Sequence, residues 1–553
     1  MNLRVLLSNL NVLATAPGGV ARLRELILTL AVQGKLVPQD PKDEPASALL
    51  KKIRAEKDRL IAGGKIKRDK PLAEIDEEET PFALPGGWEW VRLADVVRVL
   101  NGRAYGKQEL LDAGPTPVLR VGNLFTSKHW YYSNLELEPE KYCSEGDLLY
   151  AWSASFGPFI WAGPKAIYHY HIWKLEPWSL HHFDTGYFHK FLAEKTAEIK
   201  AAGHGVSMIH MTKEKMEKIV VSYPPLAEQS RIVTRVEELM RLCDALEAKG
   251  QLEATQHAQL VSTLLATLTE SETPAQLNGN WHRIATHFDL LLDRPEAVDA
   301  LEQTILQLAV RGLLVPQDPQ DEPASALLKK IRAEKDKLIA EGKIKRDKPL
   351  SPIAEDEQPF ALPVGWEWAR VGSIGVTQTG GTPASSKPEY FDGNFPFIGP
   401  GQMTLAGKIL PPEKFISERG RLESAVAEPG DILMVCIGGS IGKCAAASYA
   451  TAFNQQINSI HPVLASNEYV LNAMTAGEFM ASVVSAATGS ATPIISKGKW
   501  DLLLLPVPPL AEQSRIVTRV ASLRRLCADL RQRLTASQST QAHLAEALVD
   551  TVG

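Results

Sequence analysis

The string PPLAEQSRIVTRV spans Pro224 to Val236 and returns unchanged at Pro508 to Val520, 284 residues later. A longer pair, LVPQDPKDEPASALLKKIRAEKDRLIAGGKIKRDKPL from Leu36 to Leu72 and its near-copy from Leu314 to Leu350, is offset by 278. PFALPGGWEW (Pro81 to Trp90) and PFALPVGWEW (Pro359 to Trp368) keep that offset. Repetition at a fixed spacing decides architecture before local propensity does. The chain is therefore two halves, about 1–272 and 279–553, and the stretch between the matched blocks is six residues longer in the second.

Between these blocks the halves diverge. Residues 91–222 hold eight of the thirteen histidines and many aromatics, whereas 369–506 are rich in Gly, Ser, Thr and Ala. Drift alone would blur frame and insert together, so the contrast points to a frame that keeps one fit while each insert takes its own target. Six segments follow: a frame (1–90), a first module (91–222), a spacer helix (223–272), the frame again (273–368), a second module (369–506) and a second spacer helix (507–553).

Both modules read as α/β. The first has β-like runs PVLRVGNL (117–124), GDLLYAW (146–152) and AIYHYHIWKL (166–175). The second has FPFIGPGQM (395–403), GDILMVCIGGSIGK (430–443) and FNQQINSIHPV (453–463). EGDLL and PGDIL recur in matching places, which predicts one shared fold.

The repeated string opens helices. Apolar residues fall at Ile232, Val236, Leu239, Cys243 and Leu246, and again at Ile516, Val520, Leu523, Cys527, Leu530 and Leu534. Alternation of four and three predicts a coiled-coil seam, here two antiparallel helices of some 50 Å each. The seam is expected to resume at Leu260 and Leu264, and at Leu544 and Leu548. Amphipathic helices packed on their own domains are the alternative. The string is expected to recur because both copies launch the same helix and present the same surface to the same kind of partner. A shorter helix inside each frame carries Leu49, Leu50, Ile53, Leu60 and Ile61 on one face and basic residues elsewhere, nine Lys/Arg against three acids over 51–70 and nine against four over 329–348. Such a surface suits phosphates or an acidic partner, or is simply solvated.

Catalytic motifs do not assemble. Tyr223-Pro224-Pro225-Leu226 lacks the amide and the aromatic of a base-methylating site. GGSIGKC (Gly438 to Cys444) departs from the P-loop, with Ile437 at the first glycine and Cys444 for Ser/Thr. HExxH is absent. Five scattered cysteines make neither a disulfide framework nor a zinc pattern, which predicts a reduced intracellular setting. His169, His171, His181, His182 and His189 suit DNA contact or ordinary half-burial better than zinc. No window approaches a membrane span, so a soluble, cytoplasmic protein is expected.

Base and phosphate contact is what the modules do offer. In the first, Arg103, Tyr105 and Lys107 sit in a glycine-bounded loop, with Arg120 and Asn123, and with Trp152, Ser153, Ser155 and Phe156 in YAWSASFGP. In the second, the candidates are Thr379, Thr382, Ser385, Ser386, Lys387, Gln402, Ser440, Lys443, Asn454, Gln455 and Gln456. Arg pairs with guanine, Asn and Gln with adenine, and Ser and Lys with phosphate. Net charge is −5, with 15 Lys/Arg against 14 acids in 91–222 and 9 against 10 in 369–506. DNA affinity would then depend on how charge is laid out, or on a partner.

The frame strings LAVQGKLVPQD (30–40) and LAVRGLLVPQD (308–318), the LPxGWEW entries, GGTPASSKPEYFDGNFPFI (380–398), PGDIL (429–433) and the doubled PPLAEQSRIV resemble the specificity (S) subunits of Type I restriction-modification systems. The resemblance covers nearly the whole chain. It implies two target recognition domains, each reading half of a split, asymmetric site in double-stranded DNA. It also implies an antiparallel coiled coil that sets the gap and docks two methyltransferase (M) subunits, joined by two restriction (R) subunits. No cofactor is implied on this chain; S-adenosylmethionine, ATP and Mg belong to the partners. The GGTP loop becomes NGRAYGK in the first module, so its contact role passes to Arg103 and Lys107. A stand-alone DNA methyltransferase or nuclease, and a scaffold that never touches DNA, are the competing readings.

Overall fold

The computed structural model describes residues 10–66, 72–153, 155–202, 211–346, 348–404, 407–489 and 492–552. Contacts divide the chain into two compact units, residues 1–253 with 538–553, and residues 254–537. Lys67, Arg68 and Lys70 of the basic run lie outside the described residues.

Each unit holds a frame helix, Gly19–Val32 in the first and Pro295–Val310 in the second. Leu23, Leu26, Ile27 and Leu30 recur at three and four residues and are all buried, the pattern of a core-facing stripe. The chain then turns sharply. Gly34 and Gly312 hold left-handed backbone (φ 68° and 70°), and a Cβ there would meet Pro85 at 2.4 Å or Pro363 at 2.5 Å. The basic helices follow, Ala46–Ala62 and Ala324–Ala340. Some of their cations are matched: Lys52 with Glu44, Arg59 with Glu56, Lys330 with Glu322 and Arg332 with Asp336.

The modules share one topology despite their dissimilar letters. The first has β1 (Glu89–Arg92), β2 (Val97–Asn101), β3 (Thr116–Leu119), β4 (Tyr131–Ser133), β5 (Tyr142–Cys143), β6 (Leu148–Ser153), β7 (Ser155–Ile160), β8 (Ala166–Tyr168), β9 (Ile172–Pro177) and β10 (Val220–Tyr223). Its sheets run β2-β9-β6-β7 and β4-β3-β8-β5, with β1 and β10 paired where the module leaves the frame. The second has β11 (Glu367–Arg370), β12 (Gly375–Thr379), β13 (Phe395–Ile398), β14 (Lys414–Ile416), β15 (Ala425–Ala427), β16 (Ile432–Val435), β17 (Cys444–Ala446), β18 (Thr451–Phe453), β19 (Ile457–Pro462) and β20 (Leu504–Val507). Its sheets run β12-β19-β16-β17 and β14-β13-β18-β15, closed by β11 and β20. Even the parallel pair is kept, β3 with β8 and β13 with β18. The central β16 buries all four residues, as a strand covered on both faces must.

The repeated string is wired into its own unit. Trp88 Nε1–H donates to Glu228 Oε2 (2.9 Å), Gln39 Nε2–H to Glu228 Oε1 (3.1 Å), and Arg231 pairs with Asp43 (2.5 Å). The second copy repeats this: Trp366 to Glu512 (3.0 Å), Gln317 to Glu512 (3.1 Å), and Arg515 with Asp321 (2.6 Å). Gln229 accepts from the Asp184 N–H and Gln513 from the Ser466 N–H, each capping the module helix that follows. Glu228, Gln229, Glu512 and Gln513 are buried, so the string does not recur as an exposed docking surface at these letters. It recurs because it meets other repeated letters.

Two long helices, Leu226–Thr269 and Leu510–Val552, run 44 and 43 residues without a break, longer than the seam suggested. Ile232, Val236 and Cys243 are buried in the first unit's core and Ile516, Val520 and Cys527 in the second's, with Leu239, Leu523, Leu530 and Leu534 packed against these cores and Leu246 half-buried. The first seam residues of each helix therefore pack on a globular core. Farther along, burial resumes at Val261, Leu265 and Leu268 in the second unit's core and at Ala545 in the first's, while Leu260 and Leu544 are about half exposed. Cys243 to Val261 and Cys527 to Ala545 are each eighteen residues. That is about five turns at 3.6 residues, so the face is kept by straight-helix counting, and a 3.5-residue repeat lands one residue early.

Candidate nucleic-acid interface

The candidates converge on a three-residue turn in each module. His169-Tyr170-His171 links β8 to β9, and Asn454-Gln455-Gln456 links β18 to β19. Matching bonds fix the correspondence. The His169 N–H donates to Leu119 O (2.9 Å) as Asn454 N–H does to Ile398 O (3.1 Å), and Arg103 N–H to Tyr168 O (3.1 Å) as Gly381 N–H does to Phe453 O (3.0 Å). Gly102 and Gly380 let the neighbouring loop press on the turn, since a Cβ would meet His169 O at 2.3 Å and Asn454 O at 2.0 Å. Arg103 thus occupies the position of Gly381, and the GGTP and NGRAYGK loops are one element.

Around the first turn the structure gathers Arg103, Tyr105, Arg120 and Trp152. Arg103 pairs with Glu109 (2.7 Å) and faces the Tyr105 ring (5.4 Å). The Tyr105 hydroxyl reaches Tyr168 O (3.3 Å), and burial pushes it above its ordinary pKa. Trp152 stacks on Trp173 (5.3 Å), meets His171 edge-on (5.1 Å) and donates Nε1–H to Tyr170 O (3.0 Å). Arg120 covers the Tyr131 ring (4.5 Å), and its Nε is buried with no partner among the described residues. Ser153 and Ser155 face each other at the β6–β7 hairpin, and Ala154 between them lies outside the described residues. Lys107 is exposed. Asn123 is committed elsewhere: its Oδ1 accepts from the Arg120 N–H (3.1 Å) and its Nδ2–H donates to His129 O (2.8 Å).

Burial, the neighbouring His171 and the Arg120 guanidinium bring His169 down to about 4, and burial lowers His171. Both rings are therefore neutral near pH 7, each offering one donor and one acceptor. His181 and His182 lie on a separate turn and His189 on the helix Thr185–Ala202. Among the described residues no group of His, Cys, Asp or Glu is placed to hold a metal ion.

Around the second turn lie Thr379, Thr382, Gln402 and the loop carrying Ser440 and Lys443. Thr382 Oγ1–H donates to Gln455 Oε1 (2.5 Å), and Thr379 Oγ1–H to Asn458 Oδ1 (2.9 Å). Asn454 and Gln456 brace the turn from within: Asn454 Nδ2–H to Gln456 Oε1 (3.0 Å) and Gln456 N–H to Asn454 Oδ1 (3.1 Å). Gln402 Oε1 accepts from the Gly399 N–H (3.1 Å), beside the Asn454 amide. The Ser440–Lys443 loop is tied in where Cys436 N–H meets Gln456 O (2.7 Å), and both side chains are half-buried. Ser385, Ser386 and Lys387 are exposed farther along, Lys387 turned onto the Tyr390 hydroxyl (2.9 Å).

A family model described as "Type I restriction modification DNA specificity domain" matches residues 85–256 and again 363–537. The chain belongs to the type I restriction-modification specificity family. It is 36% identical over 567 residues to the Type I restriction enzyme EcoAI specificity subunit of Escherichia coli, covering 96% of this chain and 93% of the relative. It is 35% identical over 562 residues to the EcoEI specificity subunit of the same organism, with the same coverage. This specificity subunit is thus the non-catalytic component of its system, which accounts for methyltransferase and P-loop motifs that fail to assemble. The matched spans begin at the LPxGW entries and run into the long helices, so each takes in one module and its launch. No helix among the described residues is long and apolar enough to cross a membrane.

Residue types single out Gln455 and Trp152, and name His169 and His171 only among histidines that suit DNA contact or half-burial; they do not point to Tyr170. AIYHYHIWKL reads as one unbroken β-run, yet it is two strands with the turn between them. FNQQINSIHPV divides in the same way, and the usable signal was the alignment of these two runs with each other.

Proposed function

We propose that each module of this specificity subunit reads one half of a bipartite, asymmetric site in double-stranded DNA, and that the long helices set the gap and dock two methyltransferase subunits. One observation carries the reading: two modules of identical strand order place different side chains on the same turn. A shared scaffold with exchanged tip residues is what two different half-sites require. The helices support the gap-setting role. Each is about 65 Å long at 1.5 Å per residue, or about two turns of B-DNA. Each contributes its first part to one core and its last part to the other. Two restriction subunits complete the assembly in the cytoplasm. S-adenosylmethionine, ATP and Mg reside on those partners, and this chain holds none of them.

The test is to express the chain with its cognate methyltransferase subunit and map methylated adenines by single-molecule sequencing. A bipartite motif with a fixed gap is expected. Methylation at a continuous, single-part motif would overturn the reading.

A further inference from the structure

We propose that the middle residue of the turn selects a base in each half-site, Tyr170 in the first module and Gln455 in the second, with Gln455 acting as a hydrogen-bond donor oriented by Thr382. The inference rests on the bipartite reading above and adds the reading atom. Three side chains share the second turn, and two of them are spent. Asn454 and Gln456 bond to each other and to the turn's own backbone, so their amides hold its shape. Gln455 is the exposed member, and Thr382 Oγ1–H occupies its Oε1 at 2.5 Å. Among the described residues nothing takes its Nε2. A glutamine so fixed points its N–H outward while one lone pair of its C=O is already taken, so it favours an acceptor on a base edge: purine N7, guanine O6 or thymine O4. A free carboxamide would instead pair both ways with adenine. Thr382 is the positioning residue here, since without its hydroxyl the amide can rotate and offer either group.

The first module puts Tyr170 at the same place, with its backbone N–H on Arg103 O (3.1 Å) and its ring between His169 (4.5 Å) and His171 (3.9 Å). It remains 39% exposed, large for an aromatic ring in a nest of others. Its hydroxyl can donate and accept, so the first half-site is read by a different rule at the equivalent position.

Methylome mapping of the full chain with its methyltransferase subunit, wild type against variants, tests this. Gln455→Ala is expected to relax one base position in one half of the motif by roughly tenfold or more, leaving the other half unchanged. Gln455→Glu, which turns a donor into an acceptor, should move that position towards bases presenting a donor, cytosine N4 or adenine N6. Thr382→Val should resemble Gln455→Ala, and Thr382→Ser should restore the wild-type motif. Tyr170→Phe should alter only the opposite half. Both tip residues are at the surface, so the fold is not at stake. An unchanged motif in Gln455→Ala overturns the inference, as does weakened binding that is uniform across sequences, the signature of a phosphate contact. Failure of the wild type to give a two-part motif would instead sink the bipartite reading.

Discussion

The two frame copies agree letter by letter at Gln39 and Gln317, Trp88 and Trp366, Glu228 and Glu512, Arg231 and Arg515, whereas the modules they enclose agree in strand order and hardly in letters. The difference lies in where each residue finds its partner. The frame letters find theirs in other frame letters, so a change in one strands another in a buried place. Strand order in the modules needs only apolar residues at alternating buried positions, and many letters satisfy that. A tip residue has its counterpart outside the chain and is free to vary. The spacing Tyr187 hydroxyl to Ser222 O, repeated as Tyr469 hydroxyl to Pro506 O, marks the border between the two regimes.

The most severe way to break this comparison is Trp88→Ala. It removes a ring that is 5% exposed and leaves the buried Glu228 without its indole donor. A loss of about 3–5 kcal/mol is expected, seen as a lowered urea midpoint for the first unit. Trp88→Phe keeps most of the ring and drops the N–H, and about 1–3 kcal/mol is expected to go. Equal effects from both variants would mean that packing, and not the wiring, keeps the letter.

A conserved frame letter also meets different modules. Lys335 is buried and donates to Gly372 O (2.7 Å) and Gly375 O (2.8 Å). Its counterpart Lys57 lies over the Trp178 ring at 4.5 Å, and Trp178 Nε1–H takes Ala94 O, the carbonyl equivalent to that of Gly372. One carbonyl is thus satisfied by ammonium in one half and by indole in the other. Lys335→Met should cost about 1–3 kcal/mol in thermal or urea unfolding, and Lys57→Met about 0.5–1 kcal/mol.

These cases show what was legible. The duplication, the modules, their shared fold and the helix launch were all readable, because repeated strings and apolar spacing record them directly. The burial of Glu228 and Lys335 was not, since a charged letter enters a core only when a partner distant in sequence arrives to receive it. The first turn, with Tyr170, was hidden because neither glycine nor proline interrupts AIYHYHIWKL, the run that contains it. The later half of each helix seam was misplaced by one residue, through counting heptads along helices that hold 3.6 residues per turn. Val261→Ala should therefore cost about 2 kcal/mol and Leu260→Ala less than about 0.5 kcal/mol. The reverse order would restore the heptad.

The mildest probe separates two frame carboxylates by pH. The Arg92 guanidinium, then the Asp76 N–H, hold Glu79 down at about 2, below the ordinary value of roughly 4.3. Its contribution to stability is present above that ordinary value and is lost as pH falls towards about 2. Glu228 goes the other way, because burial raises it despite its bonds to Trp88 and Gln39. Its contribution is complete below about 4.3 and is lost as pH rises through the raised value. Urea midpoints of wild type, Glu79→Gln and Glu228→Gln across pH should show the first gap closing on acidification and the second widening. Parallel gaps would mean that the two carboxylates share one environment, and that the buried wiring of the frame is no different from its surface pairs.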